Sequence, residues 1–248
     1  MTWNKDFFNL AYQELFMNRS QKEIDFQVKI INKLSNINNP VHIVDFCCGI
    51  GDLLHKFQEQ GNTVYGVDFS KDYIEKSKKV FCLNNVYEGD ALTFKFDRKF
   101  DLALNWYSSF GYFSEENNQL LLKNIYEHLL PDGIFILEVF NSYNIIRNYS
   151  PVFNYLKTYN NKKIDIIRES SIDFTTRILN QKWTFKNDEN HESYCYNTES
   201  HLYFLDEIID KMKQVGFKNV QCFETPEVDI TFKKPNLDSK RLIFIGQK

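Results

Sequence analysis

Apolar positions along this chain change their period several times, and each change marks an element. Between residues 3 and 35, Phe7, Phe8, Leu10, Ala11, Leu15 and Phe16, then Ile24, Phe26, Val28, Ile31 and Leu34, recur three to four apart, which predicts two helices. Ser20 stands three residues before Glu23, a capping-box start for the second. Pro40 closes a loop over 36–40. Residues 41–46 then read as a strand, Gly49-Ile50-Gly51 as a tight turn, and Leu53, Leu54 and Phe57 as the face of a helix. The alternation continues with a strand over 63–67 ending in Asp68, a helix over 71–80, a short strand over 85–88, and a strand over 100–105. A helix over 115–130, a Pro131-Asp132-Gly133 turn and a strand over 134–140 complete it. Strands alternating with helices predict a mostly parallel, doubly wound α/β sheet.

From residue 141 to about 200 that alternation lapses. Leu179, Trp183 and Phe185 face one way, and Asn180, Lys182, Thr184 and Lys186 the other, so 177–186 reads as a half-buried strand. A turn over 187–190, a strand around 193–196 and a third candidate over 164–169 make this an antiparallel insertion after strand five, expected to cover the site and to hold substrate selectivity. The core resumes with an amphipathic helix over 204–215, a Gly216-Phe217 stop, and strands over 219–223 and 241–245. The expected organisation is thus a core over 1–140, an insertion over 141–200 and a C-terminal part of the core over 201–248.

The glycine turn is where chemistry is expected, because it brings bare backbone and a helix N-terminus to the carboxyl edge of a parallel sheet. A dinucleotide fingerprint places a third Gly or Ala three residues after the second glycine, where this chain has Leu54. Between Asp45 and Leu54 there are two carboxylates, Asp45 and Asp52, and no cation, which suits a positively charged ligand better than a phosphate. With an acid ending strand one and a Gly-x-Gly turn, the chain resembles the class I S-adenosylmethionine (SAM)-dependent methyltransferases, with Cys47 where the family has its first glycine. The order helix, Gly-Phe, strand, loop, final strand matches that family's tail, so the resemblance implies a Rossmann-like sheet whose last strand inserts antiparallel.

The resemblance also implies roles. Asp68, 17 residues after Gly51, stands where a carboxylate accepts from the ribose hydroxyls, with Phe69 beside it; Asp90 and Ala91 stand at the adenine position. Asp45, Cys47, Gly49, Gly51 and Asn105 complete the cofactor set in the core, and Tyr12 and Arg19 are the N-terminal polar residues expected to reach it. The bland readings are helix capping for Asp68, a turn for Asp90, packing for Tyr12 and a solvated end for Arg19. After strand four the chain reads Asn105-Trp106-Tyr107-Ser108, without the prolines of enzymes that methylate base or glutamine amino groups. The stretch from Phe100 to Phe113 instead looks like small-molecule methyltransferases, including sugar N-methyltransferases. The expected reaction moves a methyl group to an amine or hydroxyl of a small metabolite. Tyr107 and Glu138 are the candidates for catalysis, and Tyr107, Asn141, Arg168, Glu169 and Trp183 for the acceptor. A SAM-binding sensor and an RNA or protein methyltransferase are the alternatives.

Composition adjusts this picture little. The 248 residues carry a net charge of −3, against a nucleic-acid partner, and 43% hydrophobic content supports a sizeable core. No signal segment or membrane-length apolar run is evident, which leads to an expectation of a cytoplasmic monomer or homodimer. The five cysteines show no metal-type spacing, and His191 and Cys195, four apart on opposed ends of a strand, make no metal pair; no metal is expected and the thiols are expected free.

Overall fold

The N-terminal helices form where the apolar spacing places their C-terminal parts. In the computed structural model, which describes residues 6–37, 40–187 and 193–248, α1 spans Leu10–Phe16 and α2 Gln21–Ser35. Asn9 caps α1, its side chain accepting the Tyr12 N–H at 3.0 Å, and Asp6 and Phe7 ahead of it are also helical. The expected capping box begins α2: Ser20 N–H donates to Glu23 Oε2 at 2.7 Å and Glu23 N–H to Ser20 Oγ at 3.3 Å. Residues 3–5, 38–39 and 188–192, where the first helix start, part of a loop, the insertion's first turn and His191 are expected, lie outside the described residues.

The alternating region then builds the sheet: β1 (His42–Phe46), α3 (Asp52–Glu59), β2 (Thr63–Asp68), α4 (Lys71–Phe81), β3 (Val86–Glu88), β4 (Phe100–Asn105), α5 (Glu115–His128) and β5 (Leu129–Phe140). The strand after the Pro131-Asp132-Gly133 turn is longer than the apolar run suggests. It begins at Leu129, takes Asp132 through a left-handed φ of 64°, and shifts register against β4 between Phe100 and Leu102. A short helix, α6 (Ser142–Arg147), follows, too brief to show a period in sequence.

Next come four antiparallel strands, β6 (Val152–Tyr159), β7 (Lys162–Asp173), β8 (Ile178–Asn187) and β9 (Ser193–His201). The first of these is additional to the three expected. The chain ends with α7 (Leu205–Val215), β10 (Lys218–Glu224) and β11 (Arg241–Gln247).

The main sheet has the order β10-β11-β5-β4-β1-β2-β3. Strands β1 to β5 run parallel, and β11 runs antiparallel between β5 and β10, as the resemblance implies. Chain order reverses between β1 and β4, which puts the ligand crevice of such a sheet at their carboxyl ends. Two apolar clusters back it, Val44, Phe46, Phe100 and Phe135 belonging to one and Ile43, Leu54, Phe57 and Leu104 to the other. Neighbours in a strand thus serve opposite faces, the period-2 consequence of a sheet buried on both sides.

The chain divides into two compact units: Ser20–Arg147 with Tyr203–Lys248, and the described residues up to Arg19 with Asn148–Leu202. The boundary thus falls seven residues beyond the expected end of the core at 140, and the start of the chain groups with the antiparallel sheet. The reason is aromatic packing within that unit, where Phe7 and Phe16 of the N-terminal segment lie 5.5 and 5.4 Å from the ring of Trp183. Among the described residues no helix is long and apolar enough to cross a membrane, no cluster of His, Cys, Asp or Glu could hold a metal, and all five cysteines are free.

Candidate active site

The turn after β1 is stitched to β2 by two backbone bonds, the Cys47 and Cys48 N–H groups both donating to the Val67 carbonyl at 2.8 and 3.1 Å. Three of its residues take left-handed φ: Cys47 at 65°, Gly49 at 56° and Gly51 at 75°. Cys47 therefore sits in a conformation that glycine adopts at no steric cost, which is why the family's pattern has glycine there. The two true glycines do different work. A Cβ on Gly51 would fall 2.6 Å from Ser77 Oγ and 2.7 Å from Leu83 Cδ1, so this glycine permits close packing. A Cβ on Gly49 would meet nothing within 4 Å, so this one leaves open space above the turn.

Acids gather around that space. Asp68, 5% exposed at the end of β2, accepts the Gly49 N–H on Oδ2 and the Ser70 N–H on Oδ1, each at 2.9 Å. Burial lifts its carboxyl to about 6 against these backbone N–H groups, which pull the other way. A carboxylate offers about four acceptor sites, so capacity remains for a ligand's donors. Asp45 is buried at the end of β1. Burial is the main reason the Cys47 thiol is held well above its ordinary range, and Asp68, Asp45 and Asp90 add to it electrostatically, so all three carboxylates lie within reach of one small side chain. Asp90 is exposed and one oxygen accepts the Leu92 N–H at 2.9 Å, the turn-forming role, while Ala91 beside it is buried. Phe69 is half-buried after β2. Asn105, fully buried, donates from Nδ2 to the Phe46 carbonyl at 2.7 Å and braces β4 against β1 at the crevice. The structure thus brings together Asp45, Cys47, Gly49, Asp68, Asp90 and Asn105.

The set fits SAM. An ammonium, a sulfonium, two ribose hydroxyls and an adenine amino group are cations or donors, and what faces the open turn is a set of carboxylate acceptors. These residues would hold it, and the group would supply an electrophilic methyl.

Past β4 the backbone is strained, Tyr107 and Ser108 both having left-handed φ of 62° and 61°. Trp106 is buried and its Nε1 donates to Gln27 Oε1 of α2 at 3.2 Å. Ser108 is fixed twice, its N–H donating to the Glu138 carbonyl at 2.9 Å and its Oγ accepting from Arg241 Nη2 at 2.9 Å. Arg241 also grips both carboxylate oxygens of Glu138, through Nε to Oε1 and through Nη2 to Oε2 at 2.6 Å, and lies 4.1 Å from the centroid of Phe140. Glu138 is 1% exposed. Its oxygens are committed to a bidentate pair, the geometry of an orienting residue. Asn141 is similarly engaged, its Nδ2 donating to the carbonyls of Ser239 and Asn236 at 2.7 and 3.1 Å and so holding the loop before β11. Sequence reasoning missed Arg241. Its only signal was position, the first residue of the last strand, which the antiparallel register sets opposite Phe140. A cleft of about 460 Å³ opens beside it, with Phe26, Gln27 and Pro226 in its walls.

The remaining candidates belong to the other unit. There Tyr12 packs on Phe7 and Phe16, with centroids 4.4 and 5.2 Å away, and Arg19 is half-buried. Arg168 and Trp183 are directly paired across β7 and β8 and share a face. Glu169, the next residue along β7, points to the other face and pairs with Lys182 at 3.5 Å. The three are therefore not one constellation.

Residues 43–133 match the family model described as a methyltransferase domain, the segment holding the glycine turn and its acids. The chain is 24% identical over 220 residues, 83% of each protein, to YqeM of Bacillus subtilis (strain 168), provisionally named a methyltransferase. It is 28% identical over 97 residues, 39% of this chain and 41% of the other, to the dTDP-3-amino-3,4,6-trideoxy-alpha-D-glucopyranose N,N-dimethyltransferase of Streptomyces venezuelae. An S-adenosylmethionine-dependent methyltransferase from Clostridium acetobutylicum ATCC 824 superposes with a TM-score of 0.76 at 18% identity over 95% of each chain, and shares the fold. The glycine turn and its carboxylates thus lie in a segment that matches a methyltransferase domain, in a chain whose fold is that of SAM-dependent methyltransferases.

Proposed function

We propose that the chain transfers the methyl group of SAM to an amine or hydroxyl of a small metabolite. The observation that carries this reading is the acid-lined space over Gly49 at the β1–β4 switch point. The Streptomyces venezuelae relative is named for dimethylation of a sugar amine, which favours an amine acceptor.

Held at the turn, SAM would supply a methyl that an acceptor's lone pair displaces in line from sulfur, the carbon–sulfur electrons staying on sulfur as a neutral thioether. The protein's part is to align the two and exclude water. Asp45 and Asp68 bind and orient the donor, and the strained Tyr107–Ser108 turn presents Tyr107 at the carboxyl end of β4. The acceptor's proton passes to solvent, and Tyr107 is the residue we assign to hold the acceptor there; Glu138, gripped by Arg241, positions that turn. Tyr12, Arg19, Phe69 and Asp90 are proposed cofactor contacts, and the antiparallel unit is proposed to select the acceptor.

Incubating the protein with a metabolite extract and methyl-labelled SAM tests this directly. A labelled small molecule is the expected result. Label appearing only in RNA or protein, or SAM binding with no labelled product, would replace the reading with one of its rivals.

A further inference from the structure

The cleft beside Arg241 holds more hydrogen-bond donors than the core unit uses. About 460 Å³ in volume, it lies between the first turns of α2 and the segment after β10, with Phe26 and Pro226 as apolar walls. That is room for a small metabolite. Arg241 spends Nε and Nη2 on Glu138 and Ser108, but Nη1 makes no hydrogen bond or ion pair among the described residues, and a quarter of the side chain stays exposed where it lines the cleft. The Lys22 ammonium, on the same cleft, has no such partner among the described residues either.

The acids there are already engaged. Glu23 Oε2 accepts the Ser20 N–H and Oγ–H at 2.7 and 2.8 Å, and Glu227 pairs with Lys240 at 3.1 Å. What is left over is donors on two cations, so a ligand must bring the acceptors. The net field of the cleft is weak, because its cations have acids near them, while the cost of desolvating an anion grows as the square of its charge. A singly charged carboxylate is therefore favoured over a doubly charged phosphate.

Two bonds tie this cleft to the carboxyl end of β4. Gln27 in its wall accepts the Trp106 Nε1–H at 3.2 Å, and Arg241 Nη2 donates to Ser108 Oγ at 2.9 Å, so Tyr107 stands between two residues anchored to the cleft. Register sets Arg241 opposite Phe140 at the carboxyl end of β5, the edge at which such sheets bind ligands.

We propose that the methyl acceptor is an amino or hydroxy carboxylic acid, whose carboxylate binds Arg241 Nη1 and Lys22 in this cleft with its apolar part against Phe26 and Pro226. The proposal rests on the reading of the chain as a small-metabolite methyltransferase and names the acceptor class that reading leaves open. It concerns the acceptor's anchoring group alone, and leaves the choice among such acids to the antiparallel unit. The new bond forms between the methyl carbon and the acceptor's nitrogen or hydroxyl oxygen, whose proton goes to solvent; the carboxylate is not methylated.

Two measurements on the full chain test it. In the first, calorimetry compares 3-phenylpropanoate with its uncharged amide, the same body with and without the anion. Wild type should bind the carboxylate about tenfold or more tighter. Lys22→Gln, at an exposed position, should reduce that preference about threefold or more. Arg241→Lys, which keeps a charge beside Glu138 but loses the free edge of the fork, should remove most of it. Lys29→Gln, on the same helix but outside the cleft, should leave it whole. Equal binding of acid and amide to wild type, full preference in a folded Arg241→Lys, or a loss in Lys22→Gln no greater than in Lys29→Gln overturns the proposal; the wild-type comparison stands even if the Arg241 variant does not fold. In the second, the product labelled from methyl-labelled SAM is run by electrophoresis at about pH 2 and about pH 6, either side of the range in which a carboxyl ionises. A product that gains one negative charge between them and keeps its label in alkali supports the proposal. A product with unchanged charge has no carboxylate, one whose charge phosphatase removes carries phosphate instead, and one that loses its label in alkali is a methyl ester; each overturns it. Should no product form, methyl transfer fails as a reading and the calorimetric comparison alone decides the cleft.

Discussion

Asp68 and Gly49 do different jobs at the same turn, and single substitutions separate them. With the Asp68 carboxyl lifted from 3.8 to about 6, the folded state keeps a proton that the unfolded chain releases in that window. Its contribution is present below 3.8 and is lost as pH rises through 6, about 3 kcal/mol at the rate of 1.36 kcal/mol per pKa unit. Cofactor binding has the opposite sign, because only the carboxylate accepts ribose hydroxyls: SAM affinity should fall by up to about tenfold per pH unit below about pH 6. Asp68→Asn should flatten that profile and cost roughly 1.5–3 kcal/mol of SAM binding at neutral pH. Calorimetry from pH 5 to 8 checks both, and an unchanged profile would remove Asp68 from the ribose. Gly49→Ala addresses the space instead. Its left-handed φ costs a Cβ about 1–2 kcal/mol of stability, yet the methyl touches no protein atom. A loss of SAM affinity well beyond that strain, read against urea unfolding of the same variant, is the expected result; equal losses would mean that the space is not the cofactor's.

Elements were legible where period was long and illegible where it was broken or paired at a distance. The capped α2 and the strand–turn–helix at Gly49–Gly51 are read directly from spacing, and the antiparallel direction of β11 from the family resemblance. Strand β6 escapes because Leu156, 66% exposed, stands where a polar residue would complete the alternation. The grouping of Asp45, Cys47 and Gly49 at one turn was legible for the same reason as the turn itself, since they fall within a few residues of Gly51. The Glu138–Arg241 pair was not, because 103 residues separate its members and only the β5–β11 register joins them. That pair yields a prediction about strands rather than about one side chain. Arg241→Gln leaves Glu138 charged and buried, and removing one partner of a buried pair costs about 3–5 kcal/mol, toward the lower end here because Arg241 remains a quarter exposed. Replacing both by Gln and Met should recover much of the loss in urea unfolding, while methyl transfer stays depressed because Ser108 has lost its anchor. Activity recovering along with stability would show that Arg241 merely packs.

At the scale of the whole chain, two units with separate cores imply two kinds of response to the cofactor. Every carboxylate placed around the glycine turn lies in Ser20–Arg147, and Arg168, Glu169 and Trp183 all lie in the antiparallel unit. Loops at the carboxyl edge of a doubly wound sheet carry binding, and the strands beneath carry stability. Adding SAM should therefore slow amide exchange at the glycine turn, at the end of β2 and through the strands beneath, by an amount that grows with RT ln(1 + [SAM]/Kd). Exchange in β7 and β8 should change little until an acceptor is added. Glu169→Ala, on the charged face with Lys182, should leave both responses intact. Trp183→Ala should accelerate exchange across β7, β8 and β9, because a 6%-exposed indole under Phe7 and Phe16 is lost from that unit's core. If SAM alone protected β7 and β8 as strongly as β1 and β2, the antiparallel unit would belong to the cofactor site, and acceptor choice would have to reside in the cleft beside Arg241.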